Sequence, residues 1–393
     1  MKVAFVTINS LSIFGGLEKV ALRILNQLID TYKCDISIIS LVPTSASLNS
    51  LVIKEFNGFP VCRATDYRNV LQYRFHILRR KLLGKRMLIN RFSLARCLTR
   101  FPPPDVFLVT WPTFLTTVVD FVEKHSLNSS VVYWDHGALS YFLNIKGFRG
   151  KIRRTAYYKE ISDGIKASDA HLAISSGIAE IIKKIHPEAK VYLVYNPVPR
   201  YDGPLIQRPR KPTFLYVGRI SDREKNISFM LKGLSRLKHK DWQLKIVGTG
   251  PDEEKLKKLA GKLGISDRVR WLGFKKDPYS EFQEITALLL TSRYEGFPMV
   301  LVEANQRGIP VISSDCKSGP KDIVIAGVNG YLYREGDMGE FVRIIGDVIE
   351  GRLSFDTPEN IAKTAERFRE DVVVENIYKV LETVTGGRRR ASL

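Results

Sequence analysis

Residues 286–315 read TALLLTSRYEGFPMVLVEANQRGIPVISSD, and the order of elements within them decides the fold. ALLLTS is a short apolar run of strand length, and RYEGF is a turn. Pro298 suits the first turn of a helix, where its missing N–H costs nothing. Gly308 suits the position just past the helix end, and Pro310 blocks continuation. PVISS then opens a second apolar strand. Strand, helix, strand at this spacing predicts a parallel βαβ crossover. The helix starts beyond the carboxyl end of a strand, where open α/β sheets bind ligands. The N–H groups between Phe297 and Val300 offer an anion site there. Glu295 lies on the loop and Glu303 one to two turns into the helix, so both can face one crevice. On spacing alone, an ordinary turn with two solvated glutamates stands equally open.

The same rhythm extends in both directions. Val3–Ile8 is a β-branched run, Asn9–Gly16 a loop ending in two glycines, and LEKVALRILNQLID a helical pattern followed by the strand CDISIISL. DVFLVTW (105–111), SVVYW (130–134) and AHLAIS (170–175) read as buried strands, the last followed by the helix SGIAEIIKKIH. Residues 195–212, YNPVPRYDGPLIQRPRKP, hold five prolines and read as an interdomain linker. Beyond it TFLYVG, WQLKIVG, RVRWLGF and ALLLTS alternate with amphipathic helices. Two αβ domains in tandem are expected, 1–198 and 199–370.

Composition bounds the alternatives. The chain has 393 residues, 44% hydrophobic and 26% charged. That excludes a disordered, collagen-like or coiled-coil chain. The uncharged stretch between Asp105 and Asp120 contains Pro112 and is too short for a spanning helix of about 20 residues. MKVAFVTINS reads as a first strand and not as a signal peptide. Cys34, Cys62, Cys97 and Cys316 lie far apart, with no zinc or disulfide spacing, so reduced thiols and a cytoplasmic location are expected. The net charge is +20, of which residues 1–190 carry +13. Residues 63–100 hold eleven basic side chains against one acid, Asp66, which implies a polyanionic partner.

Further positions are candidates for chemistry. In FLYVGRISDREKN (214–226), Arg219 and Lys225 follow a strand end and can grip a diphosphate, Arg bidentately and Lys as a point charge. Two solvated loop cations are the plain alternative. VGTGPDEE (247–254) is a glycine-rich strand end without a complete GxGxxG or Walker pattern. Gly16 offers close backbone approach to a ligand. His136, in YWDHG, ends another apolar strand, where a satisfied structural histidine competes with a catalytic one.

Glu295 and Glu303 form an E-x7-E pair. With FGGLEKV (14–20), HLAISSGI (171–178), YNPVP, VGRI, EKN, YEGFPMVLVEA, GIPVISSDCKSGPKDI and VNGYLY (328–333), nearly the whole chain resembles the retaining GT-B glycosyltransferases of family four. The resemblance implies an α/β fold of two Rossmann-like βαβ domains facing each other across a cleft, the first binding the acceptor and the second the nucleotide sugar. It implies that segment 371–385 crosses back to the first domain; residues 386–393 are expected to be a disordered tail or tag. It assigns Arg219 and Lys225 to the donor diphosphate, with Gly16 approaching it from the first domain. Glu303 goes to the ribose, Glu295 and the backbone of Gly296, Phe297, Pro298, Met299 and Val300 to the donor sugar, and His136 to the anomeric centre. Glu295, His136, Arg219 and Lys225 are thus the expected catalytic residues.

Within that family the pattern is similar to bacterial enzymes of lipopolysaccharide, O-antigen or capsule assembly, which implies a UDP-hexose donor such as UDP-galactose or a UDP-N-acetylhexosamine. No Asp-x-Asp pair occurs, so no metal is expected. The nucleotide sugar is a substrate, so no cofactor is expected either. RFHILRRKLLGKRMLINRFSLARCL (74–98) has the composition of an interfacial amphipathic helix, and Arg79, Arg80, Lys81, Lys85 and Arg86 are expected to meet an anionic membrane surface or a lipid-linked or phosphorylated acceptor. Peripheral attachment to the inner face of the cytoplasmic membrane follows. A GT-B nucleotide-sugar 2-epimerase is the alternative; it needs no acceptor and leaves the basic block unexplained. A nucleic-acid binder is suggested by charge alone and leaves the second βα domain unexplained.

Overall fold

The structure is a computed structural model, and it describes residues 1–7, 16–40, 61–63, 94–95, 98–99, 102–137, 139 and 148–391. The chain divides into two compact units, one of Met1–Ile174, Ile178–Pro197 and Asp371–Leu393, the other of Ser175–Gly177 and Val198–Glu370.

The first unit is built on β1 (Lys2–Thr7), β2 (Asp35–Ser40), β3 (Val61–Arg63), β4 (Val106–Val109), β5 (Ser130–Asp135), β6 (Ala170–Ala173) and β7 (Val191–Leu193). They form one sheet in the order β3-β2-β1-β4-β5-β6-β7, parallel throughout. Every residue of β4 and β5 is buried. Such strands need apolar residues on both faces, which is why they read as continuous runs and not as alternation. Helices α1 (Gly16–Tyr32), α2 (Pro112–Lys124), α3 (Phe148–Ala167) and α4 (Ser176–Ile185) occur in this half of the chain.

The second unit repeats the plan. Strands β8 (Thr213–Val217), β9 (Gln243–Val247), β10 (Val269–Trp271), β11 (Ala287–Leu290), β12 (Val311–Asp315) and β13 (Gly330–Arg334) pair in the order β10-β9-β8-β11-β12-β13, again all parallel. Its helices are α5 (Asp222–Lys225), α6 (Ile227–Ser235), α7 (Glu253–Lys262), α8 (Met299–Gln306), α9 (Pro320–Ile323), α10 (Met338–Ile349) and α11 (Pro358–Thr364). Phe214, Tyr216, Trp242, Leu244, Tyr333 and Phe341 centre its core. The proline-rich stretch before β8 holds no helix and lies along this unit, with Ile206 N–H donating to the Arg307 carbonyl (2.8 Å) and Gln207 N–H to that of Gln283 (2.8 Å).

The last helix, α12 (Glu370–Ala391), belongs mostly to the first unit. Val373, Val374, Ile377, Val380 and Leu381 are buried at helical spacing, and the Tyr378 ring stacks on Tyr32 with centroids 4.0 Å apart. Ser130 Oγ donates to the Val384 carbonyl. The helix runs through Gly386 to Ala391. Two glycines weaken a helix by about 1 kcal/mol each but break no hydrogen bond, and the arginines beyond are good helix formers. Among the described residues no helix is long and apolar enough to cross a membrane.

Candidate active site

In the second sheet β8 and β11 are direct neighbours, with Ala287 opposite Phe214 and Leu288 opposite Leu215. The chain leaves β8 toward β9 on one side and leaves β11 toward β12 on the other. The loops after β8 and β11 therefore diverge and open a crevice at their carboxyl ends. The loop after β9 packs in backbone to backbone. A Cβ on Gly248 would sit 1.9 Å from the Gly218 carbonyl oxygen, so this glycine is required by the close approach.

Lys225 is the last residue of α5, on the loop after β8, and Glu295 lies on the loop after β11. Lys225 Nζ contacts Glu295 Oε1 at 2.7 Å, with side chains 24% and 11% exposed. Ser292 Oγ donates to the same oxygen at 2.6 Å. Ser318 Oγ donates to the Glu295 carbonyl. Two residues 70 apart in sequence thus hold a partly buried ion pair at the switch point. The turn beneath is fixed as well: Thr291 Oγ1 donates to the carbonyls of Lys225 (2.9 Å) and Asn226 (3.1 Å). Arg219 is exposed on the same loop, its guanidinium bonded to no described residue, while its carbonyl accepts from the buried Tyr216 hydroxyl at 2.9 Å. Burial and the nearby Glu295 raise the Tyr216 phenol above its usual range. Burial first, and Glu295 second, push the Cys316 thiol up to about 12, which makes it unreactive.

Helix α8 begins at Met299 with Pro298 as its cap, so the proline sits one position before the helical turn expected for it. Its φ of −77° serves either place. The first turn leaves the N–H groups of Met299 and Val300 without intrahelical acceptors. Phe297 turns inward against Phe368, centroids 5.5 Å apart, leaving only its backbone toward the loop. At the other end the Gly308 N–H donates to Asn305 and the Ile309 N–H to Ala304, a Schellman stop with Gly308 at φ 76°. Glu303, half-buried on α8, lies by the hydroxyl of Tyr279, which is buried and held above its ordinary pKa by desolvation and by Glu303. That hydroxyl also donates to the Val300 carbonyl (3.2 Å), and the Arg307 guanidinium packs between the rings of Tyr279 (4.5 Å) and Tyr201 (4.3 Å).

Gly16 and His136 belong to the first unit. Gly16 opens α1. His136 follows directly on β5. Asp135 fixes the turn there, its Oδ1 accepting from the N–H groups of Gly137 (2.9 Å) and Leu139 (3.4 Å). Both His136 ring nitrogens are buried and unpartnered among the described residues, with the Trp134 ring 4.3 Å away. Desolvation pushes its pKa down to about 3, so the imidazole is neutral. A neutral ring offers one donor and one acceptor to a hydroxylated ligand. Arg79, Arg80, Lys81, Lys85 and Arg86 lie outside the described residues. Sequence reasoning missed Ser292, Thr291, Arg293 and Tyr279. Ser292 alone carried a signal, as a small hydroxyl three residues before Glu295.

The family model for glycosyl transferases group 1 matches residues 201–368. The lipopolysaccharide 1,6-galactosyltransferase of Escherichia coli K12 is 36% identical over 275 residues, which are 68% of this chain and 71% of that protein. The chain is a group 1 glycosyltransferase. The corresponding Salmonella typhimurium protein is 41% identical over 232 residues, 57% of this chain and 64% of that one. Among solved structures, this glycosyltransferase is similar to the lipopolysaccharide outer core galactosyltransferase WaaB in its apo form, with a TM-score of 0.79, 28% identity and 98% and 99% of the two chains covered. Anabaena Alr3699/HepE in complex with UDP and glucose shares the fold at a TM-score of 0.68 and 18% identity, over 98% and 100% of the chains. The fold is GT-B.

Proposed function

We propose that this glycosyltransferase moves a hexose, galactose or an N-acetylhexosamine, from a UDP-sugar to a glycan of lipopolysaccharide, O-antigen or capsule assembly, retaining the anomeric configuration. The observation that carries the reading is the Lys225–Glu295 pair at the switch point, beside the open first turn of α8. The names of the 1,6-galactosyltransferase relatives support the sugar and the acceptor class.

Breaking the bond between sugar and diphosphate develops positive charge on the ring and negative charge on the leaving group. Lys225, Arg219 and the N–H groups at the start of α8 stabilise the departing diphosphate, and Gly16 lets backbone approach it. Groups preset in this way cost no reorganisation as the bond breaks. Glu303 takes the ribose, and Glu295 the sugar hydroxyls. Glu295, whose Oε1 accepts from both Lys225 and Ser292, acts in this reading as a binding carboxylate and not as a glycosidase-type nucleophile. The acceptor hydroxyl attacks on the face the diphosphate leaves, and its proton passes to a phosphate oxygen. Neutral His136 hydrogen-bonds the sugar without repelling the positive ring. The absence of an Asp-x-Asp pair supports metal-independent transfer. The basic block supports a lipid-linked or phosphorylated acceptor and peripheral contact with an anionic membrane.

A thermal-shift and donor-hydrolysis panel of nucleotide sugars tests this, with anomeric configuration read by NMR. UDP-galactose or a UDP-N-acetylhexosamine should stabilise and be cleaved, in EDTA as in its absence, and UDP in a soaked crystal should lie beside Arg219, Lys225 and Glu303. Indifference to every nucleotide sugar rejects the reading. Flotation with anionic vesicles at low salt tests the membrane contact separately.

A further inference from the structure

Arg293 has no place in the mechanism above, yet it hydrogen-bonds the loop carrying Lys225 through its backbone and both ends of its guanidinium. Its N–H donates to the Glu224 carbonyl at 2.9 Å. Its Nη1 donates to the carbonyls of Asp222 (2.9 Å) and Arg223 (3.2 Å), and its Nη2 to the side-chain oxygen of Asn226. The four acceptors surround Lys225 on both sides. Three are carbonyls of α5, a single turn, and that of Asp222 also accepts from the turn's own cap, the Asn226 N–H, at 3.0 Å. The fourth belongs to Asn226, which stands in the left-handed region at φ 52° and ψ 41° and turns the chain from α5 into α6.

We propose that Arg293 is a positioning residue for Lys225: it clamps the α5–Asn226 turn so that the ammonium group stands at the diphosphate position. The clamp starts from the loop that bears Glu295, so one residue sets the spacing of the cation from the carboxylate two residues downstream of itself. Only a guanidinium fits the task. Its planar fork reaches three acceptors at once, whereas an ammonium group is a single point donor on a flexible stem. The positive charge also suits the carbonyl end of the turn. With Nη1 spent on two carbonyls and Nη2 on Asn226, the side chain faces the protein and not the ligand.

The inference rests on the proposed role of Lys225, so the test measures both. Donor turnover, UDP affinity and thermal unfolding are compared for Arg293→Ala, Arg293→Lys, Lys225→Ala and the Arg293→Ala/Lys225→Ala double variant. Misplacing a catalytic group by about 1 Å costs on the order of 100-fold, so Arg293→Ala should lose roughly 10- to 100-fold in turnover. Arg293→Lys should recover little of it. The double variant should be no slower than Lys225→Ala alone, since a residue acting only through Lys225 has nothing left to do once Lys225 is gone. Millimolar guanidinium should restore part of the Arg293→Ala rate and none of the double variant's. Losses that multiply in the double variant, or full turnover in Arg293→Ala, overturn the inference and leave the reading of Lys225 intact. Full turnover in Lys225→Ala overturns both. If Arg293→Ala does not fold, Arg293→Lys with and without the Lys225 substitution gives the same comparison.

Discussion

The carboxyl edges of the two sheets differ in how they hold their polar groups. In the second unit the edge is charged and knitted across loops: Lys225 meets Glu295, Ser292 meets Glu295, and Thr291 and Arg293 hold the turn beneath. In the first unit the edge at β5 is local: Asp135 accepts from N–H groups two and four residues on, and the neutral His136 ring keeps both nitrogens unpartnered among the described residues. A diphosphate needs positive charge already in place, and the pair with Glu295 holds the Lys225 ammonium group there while the site is empty. A sugar ring gaining positive charge needs a neutral neighbour, and burial of an imidazole supplies one. On the proposed reading, the charged strand end meets the diphosphate and the uncharged imidazole meets the sugar.

The largest effect should fall on the charged edge. Lys225→Ala should lower turnover by about 100- to 1,000-fold, the usual cost of one leaving-group donor, while thermal unfolding stays near wild type. Wild-type rates in the purified variant would erase the contrast between the two edges. Glu295→Gln should be smaller and split in sign. It removes the charge that neutralises Lys225, so UDP should bind several-fold tighter by calorimetry, while turnover falls roughly 10- to 100-fold as the sugar loses its carboxylate partner. Weaker UDP binding in this variant would mean that the pair persists in the complex. Tyr279→Phe should do less again. Losing one hydroxyl beside Glu303 costs about 1 kcal/mol, or roughly fivefold in donor KM, with turnover kept. An unchanged KM would detach Glu303 from the donor.

The comparison also explains what was legible in the sequence. The positions of most strands and the βαβ rhythm were readable because buried parallel strands are continuous apolar runs and because Gly308 and Pro310 mark a helix end in chemical terms. Glu295, Arg219 and Lys225 stood out because each follows a strand end, and Glu303 because it pairs with Glu295 at the E-x7-E spacing. Arg293 and Tyr279 did not, since their partners are backbone carbonyls and a carboxylate on other segments, and no local spacing encodes a contact across 71 residues. Helix α2 was missed although Pro112 opens it at its first turn. The apolar stretch was read as a strand up to Trp111 and beyond it was weighed only as a membrane span. The basic block was legible as charge and as a mixed apolar and basic composition, and Arg79, Arg80, Lys81, Lys85 and Arg86 lie outside the described residues.

The smallest effect belongs to the edge at β5 and concerns pH. The His136 imidazole, held down to about 3 by desolvation, stays uncharged through the working range. Turnover between pH 6 and 8 should therefore show no inflection owed to this residue, and its ring resonances in NMR should not titrate near 6.5. Stability behaves differently. The folded pKa lies below the unfolded one, so the unfolded chain binds the extra proton first. The contribution is complete above about pH 6.5 and is lost as pH falls toward 3, with a slope of at most about 1.4 kcal/mol per pH unit for one histidine. His171, buried and pushed down to about 4, adds a second, similar slope to the same unit. Replacing His136 by Asn should flatten one of the two without touching the neutral plateau. A His136 titration midpoint near 6.5 would place a cation beside the sugar at mildly acidic pH, and the two edges would then differ in degree and no longer in kind.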